Sequence, residues 1–224
     1  MDDVCCSNQP HRDEVCFVSV AFGSQYVQQQ HRLKDSIKEI YPKANIRFWL
    51  NELPKGSKPF LDSLYGFKVH AIKEVKDEGF KKIIWLDPAM ILTGKVDKLL
   101  SFPLVAVRDD SVLHNVVSNK TLDFFRLTRD QIRENGWHLV GGSLYFFDFN
   151  HEIANTVFNL WFHTEIGGLF GSQQEAASEQ LQGHRYDETL FALAMYLNGY
   201  QPQRADEVGY CISENSIFQK KHFK

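Results

Sequence analysis

Apolar residues fall along this chain in two rhythms that alternate. Short runs rich in β-branched and aromatic residues, bounded by glycine, proline or polar turns, predict buried strands. They are Val15 to Phe22, Ile46 to Leu50, Lys82 to Leu86, Leu104 to Arg108 and Leu139 to Phe149, with Met90 to Leu92 a further extended segment before Gly94. Between them the apolar positions recur at helical spacing. Tyr26, Val27, Leu33, Ile37 and Ile40 mark a helix over Gln25 to Tyr41, and others are predicted over Leu64 to Glu78, Leu122 to Asn135, Ile153 to His163 and Tyr186 to Asn198. Pro42, Gly79 and Gly199 stand just past three of these ends as stop signals. Asn51 to Pro59 and Gly167 to Gly183 read as loops, and residues 1–14 as a flexible polar leader before one domain over 15–224.

Strands that alternate with helices predict an α/β fold, a Rossmann-like, mostly parallel central sheet flanked by helices. In such sheets ligands bind beyond the carboxyl ends of the strands. That rule selects Ala21–Gly23, Asp87–Ala89 and Arg108–Asp110 as the places to look for chemistry.

Composition narrows the function. The chain has 224 residues, 43% of them hydrophobic, enough to bury a sizeable core in one large domain. A net charge of −3 argues against a nucleic-acid partner, whose phosphates call for a basic surface. Phe is frequent, at 18, which fits core filling or stacking platforms for bases and sugars. Cys5, Cys6, Cys16 and Cys211 match neither a zinc ribbon nor a disulfide framework, and no apolar run is long enough to span a membrane. The expectation is a cytoplasmic protein or an excised domain.

Four segments carry candidate chemistry. At Ala21-Phe22-Gly23-Ser24 the chain turns from strand to helix, so backbone N–H groups can approach a nucleotide and Phe22 or Tyr26 can stack on its base; read alone, such a turn is more often a plain connection. A dinucleotide fingerprint is absent there. Trp85-Leu86-Asp87-Pro88-Ala89 delivers a carboxylate at a strand end, suited to a ribose hydroxyl or a hard divalent cation, or to capping the turn. Gly141-Gly142-Ser143 leaves room for a ligand, and is also a pattern for a bulge. His184-Arg185-Tyr186-Asp187-Glu188 places two carboxylates at a helix start, where the helix dipole favours them whatever their role.

Taken in order, these segments resemble GT-A glycosyltransferases over roughly residues 15–215. Trp85-Leu86-Asp87-Pro88-Ala89 looks like the D-x-D segment of that superfamily, with Ala89 where a second Asp would stand. The resemblance implies that Lys68 and Asp87 serve the nucleotide diphosphate, with Mn²⁺ or Mg²⁺ on Asp87 and His222 an additional ligand. It implies that Gly141, Gly142 and Ser143 line the sugar site, and that Asp187 and Glu188 act at the anomeric centre as in retaining transferases. Arg108, Asp109, His184 and Tyr186 would then face the acceptor. The compact form also resembles the chlorovirus transferases that glycosylate capsid protein.

The function implied is transfer of a hexose or deoxyhexose, with retention, from a nucleotide-diphosphate sugar, uridine-linked, to a glycan or glycoprotein acceptor. Two alternatives stand beside it: a nucleotide-sugar-binding module of the same fold without turnover, kept open by Ala89, and a sugar nucleotidyltransferase, whose glycine- and basic-rich first loop is not found at Ala21–Ser24.

Overall fold

A computed structural model describes residues 15–171, 186–209 and the backbone of 218–220. The leader 1–14, His184 and His222 lie outside the described residues. Strands β1 (Val15–Ala21), β2 (Asn45–Leu50), β3 (Lys82–Leu86), β5 (Leu104–Val112) and β6 (His138–Asp148) form a sheet in the order β2-β1-β3-β6-β5. β1 pairs in parallel with β2 and β3, while β6 runs antiparallel to both of its neighbours. The sheet is therefore mostly parallel, as its alternation with helices predicts, with β6 the reversed member. A short β4 (Met90–Leu92) pairs with β7 (Phe218–Lys220) apart from the main sheet.

Both faces of the sheet are covered, and the period-two alternation of the strands sorts the side chains between them. Val18, Ile83, Trp85, Tyr145 and Phe147 point to one face, beneath α2 (Phe67–Asp77), α5 (Glu152–Ile166) and α6 (Tyr186–Leu197). Phe17, Ile84, Leu86, Leu144 and Phe146 point to the other, where Leu33 and Ile37 of α1 (Gly23–Ile40) meet them. The first face is an aromatic stack. Tyr145 meets Phe191 at 4.5 Å and Trp161 at 5.3 Å between ring centres, and Phe147 meets Phe158 at 5.6 Å. Most of the phenylalanines there fill core, the plainer of the two uses expected of them.

Two elements differ from the sequence reading. The helix expected over Leu122 to Asn135 is two, α3 (Asn119–Phe125) and α4 (Arg129–Glu134). Arg126 stands between them in the left-handed region at φ 54°, and Thr128 opens α4 with a capping box to Gln131, a Thr-x-x-Gln start signal inside the apolar period. β5 runs on to Val112 instead of stopping at Arg108, because the start of β6 gives it a partner, Val112 against His138. Arg108, Asp109 and Asp110 thus lie within a strand and not beyond its end.

A buried polar knot ties the loop after β2 to the helices. Glu165 on α5 accepts from Ser63 Oγ at 3.0 Å and faces His70 Nε2 on α2 at 2.9 Å, with Lys58 at 3.9 Å. Burial raises the Glu165 pKa, but the His70 hydrogen bond and charge, Ser63 and Lys58 outweigh it and hold the carboxyl below its usual range. A depressed carboxylate pKa contributes stability that is complete above the ordinary glutamate value, about 4.3, and is lost as pH falls through the folded value. Acid titration of the melting temperature between about pH 6 and 3 should therefore be steeper for the parent than for Glu165→Gln. Equal slopes would remove the knot from the account of acid stability.

Candidate functional site

β1, β2 and β3 end at one edge of the sheet, and the chain gathers its charges there. Asp87 follows β3 directly, its backbone N–H donating to Ser143 O at 2.9 Å. Trp85, fully buried at the end of β3, shares its indole N–H between Asp87 Oδ1 and Gly142 O, each at 3.2 Å. The double glycine is a bulge. Ala106 of β5 pairs with Tyr145 and Arg108 pairs with Val140, so Gly141, Gly142, Ser143 and Leu144 together oppose Val107 alone. The bulge turns Gly142 O toward the helices.

Lys68, in the first turn of α2, reaches into this bulge. Its ammonium donates to Gly142 O at 3.0 Å, and it lies 2.7 Å from Asp187 Oδ2 and 3.6 Å from Asp87 Oδ1. The contact with Asp187 is a close charge pair rather than an aligned hydrogen bond. Both side chains are buried, with 5% and 3% of their surface exposed, while Asp87 keeps 27%. Burial disfavours the Lys68 charge, but Asp187, Asp87 and Glu188 more than reverse this and raise its pKa above the ordinary lysine value. Burial also raises the Asp187 pKa, partly offset by Lys68.

α6 brings the second pair of carboxylates. Asp187 and Glu188 occupy its first turn, where the positive end of the helix dipole favours them. Trp161 Nε1 donates to Asp187 O at 3.1 Å and pins the start of the helix. Glu188 Oε1 accepts from Gly142 N–H at 2.8 Å. A methyl group at position 142 would stand 2.7 Å from Glu188 Oε1 and 2.8 Å from Lys68 Nζ, so a side chain there would push both away from the bulge. The sequence thus joins Lys68, Asp87, Gly142, Asp187 and Glu188, spread over 120 positions, through one bulge.

The remaining candidates fall in different places. Gly141 and Ser143 flank Gly142 in the bulge, and Ala89 is buried two residues past Asp87, its carbonyl accepting from Arg32 at 3.0 Å. Ala21 is buried, and Gly23 turns at φ 79°, but its N–H donates to Asn51 Oδ1 at 2.8 Å, which takes up the backbone donor expected for a nucleotide. Phe22 is committed edge-on to Phe67 at 5.6 Å, whereas Tyr26 is 53% exposed and open to stacking. Tyr186 is buried at the helix start. Lys68, expected to serve the nucleotide diphosphate, is enclosed against the carboxylates as their counter-ion. Arg108 and Asp109 stand apart from the cluster. Arg108 lies beside Tyr196 at the far end of α6 from Asp187, and Asp109 accepts from Ser111 N–H at 2.8 Å.

Two tyrosines join the site without having been singled out by the sequence. Tyr145 is buried, and burial, with Asp187, Glu188 and Asp87 adding to it, holds its phenol well above the ordinary value, so it meets the carboxylates as a protonated hydroxyl. Tyr65 is 42% exposed at φ 62°, its ring 5.1 Å from the Lys68 ammonium, and partial burial, with Asp187 and Asp87 adding to it against Lys68, raises its phenol pKa. A left-handed backbone at a non-glycine residue is strained, and such strain gathers at functional sites. A Tyr-Gly pair before a helix was the available signal.

No protein-family model and no curated protein sequence matches the chain. Solved structures do resemble it. The bifunctional glycosyltransferase WbbM, solved without ligand, superposes with a TM-score of 0.50 at 9% identity, over 89% of this chain and 40% of its own. The chain has a glycosyltransferase fold. It spans well under half of the WbbM chain. A glycosyltransferase involved in the glycosylation of the major capsid of PBCV-1 gives 0.42 at 13% identity, over 76% of this chain and 79% of its own. The glycosyltransferase GlyE of Streptococcus pneumoniae gives 0.49 at 11% identity, over 86% and 46%. Of the three, the WbbM likeness reaches 0.5, and it shows the fold alone. Among the described residues no helix of this glycosyltransferase-fold chain is long and apolar enough to cross a membrane.

Proposed function

We propose that the chain transfers a hexose or deoxyhexose from a uridine-diphosphate sugar to a glycan acceptor, with retention of configuration. The observation that carries this reading is the buried Lys68 ammonium set among Asp187, Asp87 and Glu188 at the carboxyl end of the sheet. Asp187, fixed by Lys68, orients the donor sugar through its hydroxyls. Glu188, held by Gly142 N–H, faces the anomeric carbon and stabilises the positive charge that develops as the bond to diphosphate breaks. Tyr65 and Tyr26 offer exposed rings on which the base or sugar stacks.

Three carboxylates around one ammonium leave the site negative, so a diphosphate enters it with a cation. The described residues form no cage of three or more metal-ligating side chains, and Ala89 offers a buried methyl. Mg²⁺ commonly takes only one or two protein carboxylates and completes its shell with phosphates and water. Asp87, part-exposed, suits that single place, and Mn²⁺ or Mg²⁺ held there would offset charge on the leaving diphosphate. The same Ala89 favours the second reading, a module that binds nucleotide sugar without turnover.

A thermal-shift panel of nucleotides and nucleotide sugars, with and without Mn²⁺, tests the donor class. A uridine-diphosphate compound with Mn²⁺ at 100 times its Kd adds about 2.7 kcal/mol, a rise of about 5–11 °C, which Asp87→Ala abolishes. Mn²⁺ alone leaves the midpoint in place. A chain that no nucleotide stabilises in either condition is not a nucleotide-sugar transferase. Turnover with the same donor then separates the enzyme from the binding module.

A further inference from the structure

Tyr145 stands opposite Trp85 in the β3–β6 pairing, its side chain fully buried on the face that α6 covers. Its ring packs 4.5 Å from Phe191 and 5.3 Å from Trp161, a place that phenylalanine would fill as well. The hydroxyl is what calls for a reason. It is buried with no hydrogen-bond partner, and an orphaned buried hydroxyl costs stability. Asp187 Oδ2 is its counterpart, an acceptor with no aligned hydrogen bond although Lys68 lies 2.7 Å away. The two meet at the site. Phe191 follows Asp187 by one helical turn, so both project from one face of α6 over Tyr145. Burial, and then Asp187 ahead of Glu188 and Asp87, raises the Tyr145 phenol, so a neutral hydroxyl that donates stands beside a carboxylate that accepts. The Lys68 ammonium is 5.8 Å from the centre of the same ring. Trp161 Nε1 holds the Asp187 carbonyl at 3.1 Å, which fixes the main chain and leaves the side chain to turn.

We infer that Tyr145 is a positioning residue for the donor sugar: its hydroxyl donates to Asp187 once a sugar hydroxyl engages that carboxylate, and holds it in place. A sugar that donates to Asp187 turns the carboxylate, and Lys68 cannot steady it alone. The ammonium is shared among Asp187, Asp87 and Gly142 O, and it meets Asp187 out of line. Tyr145 supplies the missing aligned donor from the sheet side, and it needs no contact with solvent or sugar to do so. Because the bond closes only in the sugar-bound state, it adds to affinity for the sugar and not to the stability of the free chain. The orphaned hydroxyl is the corresponding cost in the free chain. This role rests on the transfer reading, in which Asp187 serves the donor sugar.

The test is Tyr145→Phe in the full chain, which removes one hydroxyl and keeps the ring. Without ligand its melting temperature should equal or exceed that of the parent, since the change removes an orphan. Uridine diphosphate and its glucose, galactose and rhamnose conjugates are then titrated into both chains with Mn²⁺, by calorimetry. The parent should bind at least one conjugate more tightly than uridine diphosphate itself. Tyr145→Phe should weaken that conjugate about tenfold or more, as expected for one hydrogen bond to a charged group. Its affinity for uridine diphosphate, which has no sugar to engage Asp187, should stay unchanged. A plain packing role predicts no such difference between the two ligands. Equal affinity of parent and variant for the conjugate overturns the role, and so does an equal loss for uridine diphosphate. A melting temperature more than about 2 °C below the parent overturns it too, since the hydroxyl would then be bonded in the free chain. A parent that binds none of the conjugates overturns the transfer reading itself, and this role with it; a parent that binds one while Tyr145→Phe changes nothing leaves that reading standing.

Discussion

Replacing Lys68 with methionine lowers the melting temperature by about 6–20 °C and abolishes stabilisation by nucleotide sugar. The first number comes from the loss of one partner of a buried ion pair, about 3–5 kcal/mol, with each kcal/mol worth about 2–4 °C in a domain of this size. Methionine keeps the length and apolar stem of the lysine, so the loss is electrostatic. Asp187 then stays buried without its cation, next to Asp87, and its pKa climbs further. Adding Asp187→Asn removes the stranded charge and recovers part of the melting temperature, though not the ligand response. Thermal melts of the parent, both single variants and the double variant close the cycle. A Lys68→Met chain that melts within about 2 °C of the parent would mean that the pair is open to water, and the electrostatic account of the site would fall.

Turnover falls by about 10²–10⁴ in Glu188→Gln, the range for removing a charged group that acts in the transition state. The melting temperature moves by no more than about 2 °C, because the amide oxygen can still accept from Gly142 N–H and the side chain is only half-buried. The donor-induced thermal shift persists. That combination separates chemistry from binding, and it contrasts with Lys68→Met, which loses both. Steady-state kinetics on the donor and acceptor pair checks it. Activity within about threefold of the parent would move the anomeric role to another carboxylate.

The strands and their order of appearance were legible in the sequence because a buried strand of a parallel sheet is apolar on both sides. Lys82 to Leu86 has the same bounds in the structure, and Val15 to Phe22 differs by one residue. Asp87 at a strand end, the double glycine and the Asp187–Glu188 helix start were likewise visible, since a local residue pattern marks each. The split between α3 and α4 was legible in principle from Thr128 and Gln131, but the apolar period runs through the break and hides it. What each candidate does with its neighbours was not legible. Lys68 reads as a basic residue that serves the nucleotide, yet tertiary packing encloses it among Asp187, Asp87 and Gly142 O, because contacts 19 to 119 positions away decide its surroundings. Arg108 reads as a strand-end residue facing the acceptor, yet pairing with β6 carries β5 on and sets Arg108 beside Tyr196. Tyr145 carries no local mark of function and Tyr65 only a Tyr-Gly pair before a helix; one is set by the stack beneath α6, the other by a strained backbone at a helix entrance. The sequence by itself determined which segments are strands and helices and which carboxylates stand at their ends, for these depend on periodicity and local caps. Only the tertiary structure decided which charges meet, because the sheet order and the bulge at Gly142 bring together residues that no local pattern relates.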